Sequence, residues 1–415
     1  MESLSKITHI LPSLNFPSIY LVTWNVHGKP PPASFSNLLQ LDALPLPDIY
    51  AIGIQEAASN IWEAALISAL KPFQYVKIKS RQLVGIITIM FVKRSILPYV
   101  TSVESELTKT GLGGFYGNKG ACSIRADIMG MNLIVVNCHL AAHMENVVER
   151  MNNIDQILAT QKFKDQDTDN ILDHDYIFWM GDMNFRIERS YNRVLELINE
   201  KQYERLYESD QLHIAIEEGL IFENFLEGRL TFPPTYKFDP GTDTYDTSPK
   251  CRVPAYTDRI LYYYHNATYG KTQLEAKLVQ YRSHPLYKTS DHKPVSALLE
   301  FKTLPRGVQS LISFRFNTLA WYREKDQVVT YFVRKDFKVA YGDWIGLYKE
   351  DFTDFDSFVT YVWAKTADTS NSLVPVSVHF PSSQLVPLTP GKYLICYLTR
   401  KNSLCGISSP FNIIQ

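Results

Sequence analysis

Six short apolar runs in this chain each end in an acid, an amide or an imidazole: Thr23-Trp24-Asn25, Gln55-Glu56, Asn137-Cys138-His139, Gly181-Asp182-Met183-Asn184, Thr257-Asp258-Arg259 and Ser290-Asp291-His292. Any one alone is an ordinary polar group capping a turn. Six strand ends that each deliver one such side chain describe a site assembled on a rigid scaffold. Their chemistry suits metal-assisted hydrolysis of a phosphate ester. The oxygen donors Glu56 and Asn25 suit a hard ion such as magnesium, which keeps several waters and takes a phosphate as a further ligand. Asp182, assisted by Asn184, can orient a water and relieve it of a proton. His139 and His292 can donate to non-bridging phosphate oxygens, with Asp258 pinning one nitrogen of His292. Zinc held by the two histidines is the rival assignment, but no cysteine or second histidine stands at a ligand spacing.

The elements that must position these residues can be read from the apolar runs themselves. Ile19–Trp24, Ile49–Ile54, Val84–Val92, Leu133–Cys138, Tyr176–Met180, Ile260–Tyr264 and Val295–Phe301 have the length and β-branched content of buried strands. Between them, Glu145–Phe163 has helical spacing, with Val147, Val148, Met151, Ile154, Ile157 and Leu158 on one face, and Tyr191–Tyr207 reads as a second helix. Strands covered by helices predict an α/β layered sandwich, helices flanking two packed sheets. After Phe301 the helical period disappears. Val328–Val333, Trp344–Tyr348, Phe358–Trp363, Val376–Phe380 and Tyr393–Tyr397 predict a small all-β sandwich, with Trp344 and Trp363 in its core. The expected division is 1–304 and 305–415, across the Lys302–Gln309 stretch with its Pro305 and Gly307.

Composition narrows the partners. Lys and Arg total 42 against 43 Asp and Glu, a net charge of -1, so no overall basic field draws nucleic acid and a polyanion must be gripped by a local cluster. The five cysteines form no CxxC pair and read as free thiols in a reducing compartment. The N-terminus, broken by Pro12, Asn15 and Pro17, has no basic start and does not read as a signal peptide. No apolar run is long enough to span a membrane, and Pro410–Gln415 carries no prenylation cysteine. The expected location is cytoplasmic, with peripheral contact at the endoplasmic reticulum or plasma membrane.

Longer motifs sharpen the chemistry. Gly117-Asn118-Lys119-Gly120, Trp179 to Arg186 (WMGDMNFR), Phe232 to Asp239 (FPPTYKFD), Pro254 to Ile260 (PAYTDRI) and Ser290 to Val295 (SDHKPV), in this order with the strand-end residues, resemble the inositol polyphosphate 5-phosphatases. The resemblance covers about Ile19 to Phe301. The strand-end acids alone would fit the whole exonuclease III-like superfamily, whereas the GDMNFR and PAYTDRI runs are specific to 5-phosphatases. It implies a four-layer α/β sandwich of the endonuclease/exonuclease/phosphatase type and a magnesium requirement. It also implies Glu56 and Asn25 at the metal, Asp182 and Asn184 at the water, His139 and His292 at the 5-phosphate, and Asp258 and Asp291 in support. By the same resemblance Tyr236, Lys250 and Arg252 hold the 4-phosphate, with Lys237 a nearby candidate, and Asn118 and Lys119 hold the 1-phosphate. The chain departs from the family at Tyr256 and Thr257, where tryptophan and cysteine are common.

The C-terminal runs Asp343 to Tyr348 (DWIGLY) and Tyr361 to Ala364 (YVWA) resemble a SKICH domain, which implies membrane or partner targeting. The compact layout favours the type enriched in skeletal muscle and kidney over its proline-rich relative. The expected substrates are phosphatidylinositol 4,5-bisphosphate, the 3,4,5-trisphosphate and soluble inositol polyphosphates. A nucleic-acid phosphodiesterase and a catalytically inactive lipid-binding scaffold are the alternatives. Just before Asn118, three glycines make Thr110–Tyr116 a loop, so Leu112, Phe115 and Tyr116 are candidates to meet the acyl region of a bilayer.

Overall fold

The computed structural model describes residues 16–415 apart from 60, 165–167, 271, 305–309, 317, 319, 336, 366–374 and 402. The N-terminal segment and most of the Lys302–Gln309 stretch therefore lie outside the described residues.

Up to residue 301 the strands are β1 (Ser18–Asn25), β2 (Ile49–Gln55), β3 (Tyr75–Leu83), β4 (Ile86–Lys93), β5 (Val100–Gly111), β6 (Tyr116–Ile128), β7 (Met131–His139), β8 (Tyr176–Asp182), β9 (Leu226–Glu227), β10 (Asp258–Tyr264), a small hairpin of β11 (Thr268–Tyr269) and β12 (Thr272–Gln273), β13 (Ala276–Ser283) and β14 (Val295–Phe301). They form two six-stranded mixed sheets, ordered β13-β14-β1-β2-β4-β3 and β5-β6-β7-β8-β10-β9. The inner faces meet in a core that includes Leu21, Ala51, Val92, Val135 and Phe178. Helix α1 (Ile61–Leu70) covers the outer face of the first sheet through Trp62, Leu66 and Leu70. Helix α2 (Val147–Thr160) covers the second through Ile154 and Ile157. This is the expected four-layer sandwich. Central strands buried on both faces explain why β1, β2 and β8 read as continuous apolar runs.

Several expectations need correction. Val84 is 67% exposed in the β3–β4 turn rather than inside a strand. On α2, Val148 faces solvent, while Arg150 and Asn153 occupy the buried face. They do so because their polar groups are satisfied there: Arg150 donates to the carbonyls of Ala141 and His143, and Asn153 accepts from the Ala141 N–H. The second helix is two, α3 (Tyr191–Asn199) and α4 (Tyr203–Tyr207), broken where Lys201 takes a left-handed φ of 56°. The Asn118-Lys119 motif lies within β6 and not in a loop, and the loop before it shrinks to 112–115. Glycine at 111 and 117 serves close approach rather than turning. A Cβ at Gly111 would lie 2.3 Å from the Asn118 Oδ1, and one at Gly117 2.7 Å from a Leu83 methyl.

The C-terminal part holds β15 (Ile312–Arg315), β16 (Ala320–Tyr322), β17 (Gln327–Val333), β18 (Trp344–Lys349), β19 (Thr360–Trp363), β20 (Pro375–Phe380), β21 (Gly391–Leu398), β22 (Leu404–Ile407) and β23 (Phe411–Ile414). Sheets β15-β17-β20 and β16-β23-β21-β18-β19 enclose Trp321, Val329, Ile345, Ile395 and Phe411. Trp344 is buried as expected, but Trp363 is 61% exposed. It pairs with Trp344 from β19, the edge strand of its sheet, and its ring meets that of Tyr361 edge-on. Tyr348, Phe352 and Phe355 join the central core cluster that also contains Ile96 and Leu97. The Lys77 N–H donates to Thr353 O at 2.8 Å, so the C-terminal part covers some of the open edge of β3.

Candidate functional site

Strand register does most of the assembly. In the second sheet His139 pairs with Asp182 across the parallel β7–β8 ladder, and Asp182 pairs with Asp258 across the antiparallel β8–β10 ladder. Three functional residues thus stand in one row on adjacent strands. In the first sheet Asn25 pairs with Gln55, and Glu56 follows at a left-handed φ of 57°. The Asp291-His292 loop is anchored to β1, where the Trp24 indole N–H donates to His292 O and Ser290 Oγ donates to Asn25 O.

Asp182 is the hub. Its Oδ2 accepts from Asn25 Nδ2 at 2.9 Å and lies 3.2 Å from His139 Nε2 and 3.9 Å from His292 Nε2, while Oδ1 accepts the Asn184 N–H. Burial pushes this carboxyl up, but the facing imidazoles and Lys119 outweigh it and hold the group well below the usual carboxylate range. His292 Nδ1 donates to Asp258 Oδ2 at 2.9 Å, and that oxygen also accepts from the Thr235 and Thr257 hydroxyls. Burial opposes charge on His292, yet Asp258, Asp182 and Asp291 together raise it to about 9. The imidazolium is therefore the form present at neutral pH, with Nε2 turned toward Asp182. His139 behaves oppositely. Burial and then the Lys119 ammonium lower its pKa against the pull of Asp182 and Glu56, so it stays neutral. Lys119 Nζ lies in contact with His139 Nε2.

Glu56 Oε1 accepts from Asn25 Nδ2 at 3.1 Å. His27 Nδ1, for which no motif argued, lies 3.4 Å from Glu56 and 3.6 Å from Asp291. Burial raises the Glu56 carboxyl, but His139 and Asn25 more than offset this and keep it ionised. Among the described residues, Asp182, Asp258 and His292 also place potential ligand atoms within 4.8 Å of one another. Asp258 Oδ2 is taken by three donors while its buried Oδ1 meets none, and Glu56, Asp182, Asp291 and the Asn25 amide supply further oxygens. All-oxygen donors of this kind fit a hard divalent ion and not zinc.

Asn184 sits at the hub, but both ends of its amide are engaged, Nδ2 donating to Leu140 O and Oδ1 accepting from Arg186. Arg186, carried by the GDMNFR run without an assigned role, is buried and stacks 4.5 Å from the Tyr236 ring centroid. Tyr236 in turn lies against the His292 ring at 4.4 Å. Lys237 and Arg252 are half-buried and Lys250 is exposed on the adjoining loop, which the buried Asp246 shapes by accepting the N–H groups of Ser248 and Arg252. No described hydrogen bond or ion pair engages these three cationic heads, which leaves them available to an anion. Asn118 and Lys119 alternate along β6, so only Lys119 reaches the hub, while Asn118 lies over Gly111 near the hairpin tip. At that tip Leu112, Phe115 and Tyr116 are 73%, 85% and 62% exposed. The departures at Tyr256 and Thr257 are absorbed: Tyr256 is buried with its hydroxyl donating to Phe232 O, and Thr257 supplies a donor to Asp258. Arg259 faces away from the site, its buried guanidinium bidentate to Glu227 and bonded to Asp210. It is a structural lock whose removal leaves buried carboxylates unpaired.

Residues 22–298 match endonuclease/exonuclease/phosphatase family 2, and residues 313–413 match the SKICH domain. The chain is 37% identical to the mouse protein "Inositol polyphosphate 5-phosphatase K" over 95% of its own length and 89% of that protein's. It is 38% identical to the human "Phosphatidylinositol 4,5-bisphosphate 5-phosphatase A" over 95% of its length, and spans about two fifths of that longer relative (41%). Among solved structures, the inositol polyphosphate 5-phosphatase domain of SPsynaptojanin, in complex with inositol (1,4)-bisphosphate and calcium ion, superposes with a TM-score of 0.62 at 38% identity, covering 69% of this chain and 86% of that one.

Proposed function

The chain belongs to the inositol polyphosphate 5-phosphatases of the endonuclease/exonuclease/phosphatase family, and from that premise we propose that it removes the 5-phosphate of phosphatidylinositol 4,5-bisphosphate, phosphatidylinositol 3,4,5-trisphosphate and soluble inositol polyphosphates in a magnesium-dependent reaction. That it is a phosphatase acting on the 5-position of inositol phosphates or phosphoinositides follows from the family.

The observation that carries the reading is the row His139–Asp182–Asp258 with His292 and Lys119 closing over it. Glu56 and Asn25, with Asp182 and Asp291 beside them, would hold magnesium, which when bound polarises the phosphoryl group and neutralises charge on the leaving oxygen. Asp182, ionised at any physiological pH, accepts a hydrogen bond from the attacking water and orients it. Its depressed basicity defers proton uptake until the nucleophile has begun to bond. The His292 imidazolium donates from Nε2 to a non-bridging phosphate oxygen, and Lys119 supplies a second positive charge on the His139 side. His139, neutral and held by Lys119 and Asp182, donates or accepts according to its tautomer. Asn184 acts by fixing Arg186 and the Asp182 turn.

Tyr236, Lys237, Lys250 and Arg252 form the 4-phosphate subsite in this reading, since arginine and lysine on a loop beside the site provide fork and point-charge contacts. Asn118, near the hairpin tip, would meet the 1-phosphate, with Leu112, Phe115 and Tyr116 entering the acyl region beyond it. Such a tip supports peripheral membrane contact, proposed at the endoplasmic reticulum or plasma membrane of a cytoplasmic protein. No described helix is long and apolar enough to cross a membrane. The SKICH domain is proposed to contribute a protein partner.

Phosphate release from a panel of soluble and bilayer substrates, with magnesium and with chelator, tests this directly. Release confined to substrates bearing a 5-phosphate, and abolished by chelation, is the expected result. Strand scission of phosphodiester DNA at a comparable rate would favour the nucleic-acid alternative.

A further inference from the structure

The two sheets meet through aliphatic and aromatic side chains over most of their contact, but not immediately beneath the site. Along the inward faces, Leu21, Ala51, Val135 and Phe178 are apolar. Two residues nearer the site on β1 and β7, Thr23 and Asn137 replace them, and two residues further come Asn25 and His139. Gln55, in the same row as Asn25, folds back toward this intermediate layer. Its Nε2 donates to Asn137 Oδ1 at 2.6 Å and to Thr23 Oγ1 at 3.0 Å. The Asn137 Nδ2 returns a bond to Ile87 O at 3.0 Å. Thr23, Gln55 and Asn137 are all fully buried. Gly53 makes room for this exchange, because a Cβ there would lie 2.6 Å from Asn137 Oδ1.

A core selected for stability alone has no need of these amides, since their desolvation offsets most of what their hydrogen bonds contribute. What directional bonds provide, and aliphatic contacts do not, is a fixed registration of one sheet on the other. The tie joins the two halves of the site. Gln55 directly precedes Glu56, and Asn137 stands two residues before His139 on the same face of β7.

We propose that Gln55 and Asn137 are positioning residues, an inter-sheet clip that sets the Glu56 carboxylate relative to His139 and Asp182. The inference rests on the division of labour proposed above, with Glu56 at the metal and His139 at the phosphate. A displacement of about 1 Å between reacting groups costs on the order of a hundredfold in rate. Loosening the clip therefore lowers kcat and leaves phosphate recognition on the surrounding loops largely intact.

The test compares Gln55→Met, Asn137→Leu and the double variant with the parent, using soluble inositol 1,4,5-trisphosphate and thermal unfolding. Each single change leaves one polar atom of the other amide without its partner, so the double variant, which removes both amides, is the one that reports if a single variant does not fold. Thr88→Val is the control. Its hydroxyl makes another fully buried inter-sheet bond, to Cys122 O at 3.0 Å, one strand removed on each sheet from Gln55 and Asn137. The expected result is a double variant with a Tm within a few degrees of the parent, kcat down by roughly 10- to 100-fold and KM within about threefold. Thr88→Val should lose Tm and retain kcat. A double variant that recovers kcat together with Tm, or a Thr88→Val that loses kcat as heavily, overturns the clip. A parent without magnesium-dependent turnover overturns the functional reading beneath it, which the same assay shows before any variant is compared.

Discussion

Replacing Asp258 with asparagine isolates the charge that holds His292 protonated. The carboxylate bonds to His292 Nδ1 at 2.9 Å inside a fully buried pair, and the imidazole stands at about 9 in place of an ordinary 6.5. An asparagine of the same shape still accepts the Nδ1–H but removes the largest charge opposing burial, so the pKa of His292 falls from about 9 toward the ordinary 6.5. At about pH 7.5 the parent is almost wholly imidazolium, whereas a group at 6.5 is only about one tenth protonated. If His292 donates to the phosphate as proposed, kcat at that pH drops by up to about tenfold from protonation alone. The loss shrinks as the pH is lowered through 6.5. Phosphate release from soluble inositol 1,4,5-trisphosphate, followed from about pH 5.5 to about pH 9.5, should show an alkaline limb near 9 in the parent and one displaced clearly to lower pH in Asp258→Asn. Stability carries the same signature. A folded pKa above the unfolded value stabilises fully below about 6.5 and ceases to do so as pH rises through 9, a difference on the order of 3 kcal/mol. The parent should therefore lose Tm between those limits to an extent that Asp258→Asn does not. An unchanged alkaline limb, or a rate loss equal at every pH, would refute the assignment of His292 as the charged donor.

Asp182→Ala should lower kcat by roughly a thousandfold or more with KM little changed, since the water it orients reacts only in the transition state; activity within a few-fold of the parent removes Asp182 from the mechanism. Arg252→Ala should weaken turnover of 4,5-bisphosphorylated substrates by roughly tenfold or more while sparing those without a 4-phosphate. Equal losses on both would place Arg252 among loop-organising residues rather than in the subsite. Changing Leu112 and Phe115 together to serine should reduce activity on bilayer phosphatidylinositol 4,5-bisphosphate, by about thirtyfold if each buried side chain contributes near 1 kcal/mol, and leave soluble inositol 1,4,5-trisphosphate turnover unaltered. Parallel losses on the two substrates would make the hairpin tip structural.

The catalytic acids, imidazoles and amides were legible because each ends an apolar run, and burial of the central strands on both faces makes such runs continuous and conspicuous. The same logic failed for β3, β5 and β6, whose mixed polar and apolar residues lie near sheet edges and carry no continuous apolar signal. It is why the whole of Thr110–Tyr116, up to the Asn118-Lys119 motif, reads as a loop when the strands run to Gly111 and resume at Tyr116. Val148 and Trp363 misled for a related reason, since an apolar residue near a core stripe or in a strand says nothing of whether another element covers it.

Residue types and order decided the family, the two-part architecture and which side chains could do chemistry, because those depend on local pattern and on chemical capability. Only the folded chain decided how the parts act. Register places His139, Asp182 and Asp258 in one row, and that row gives His292 and His139 opposite charge states although the two are the same amino acid. Tertiary contact likewise separated Asn118 from Lys119, brought His27 and Arg186 to the site, and turned Gln55 and Asn137 from unremarked neighbours of Glu56 and His139 into a bond between sheets. The physical reason is that electrostatic and steric fields fall off over a few ångströms in space, while partners such as Gln55 and Asn137 stand 82 positions apart along the chain.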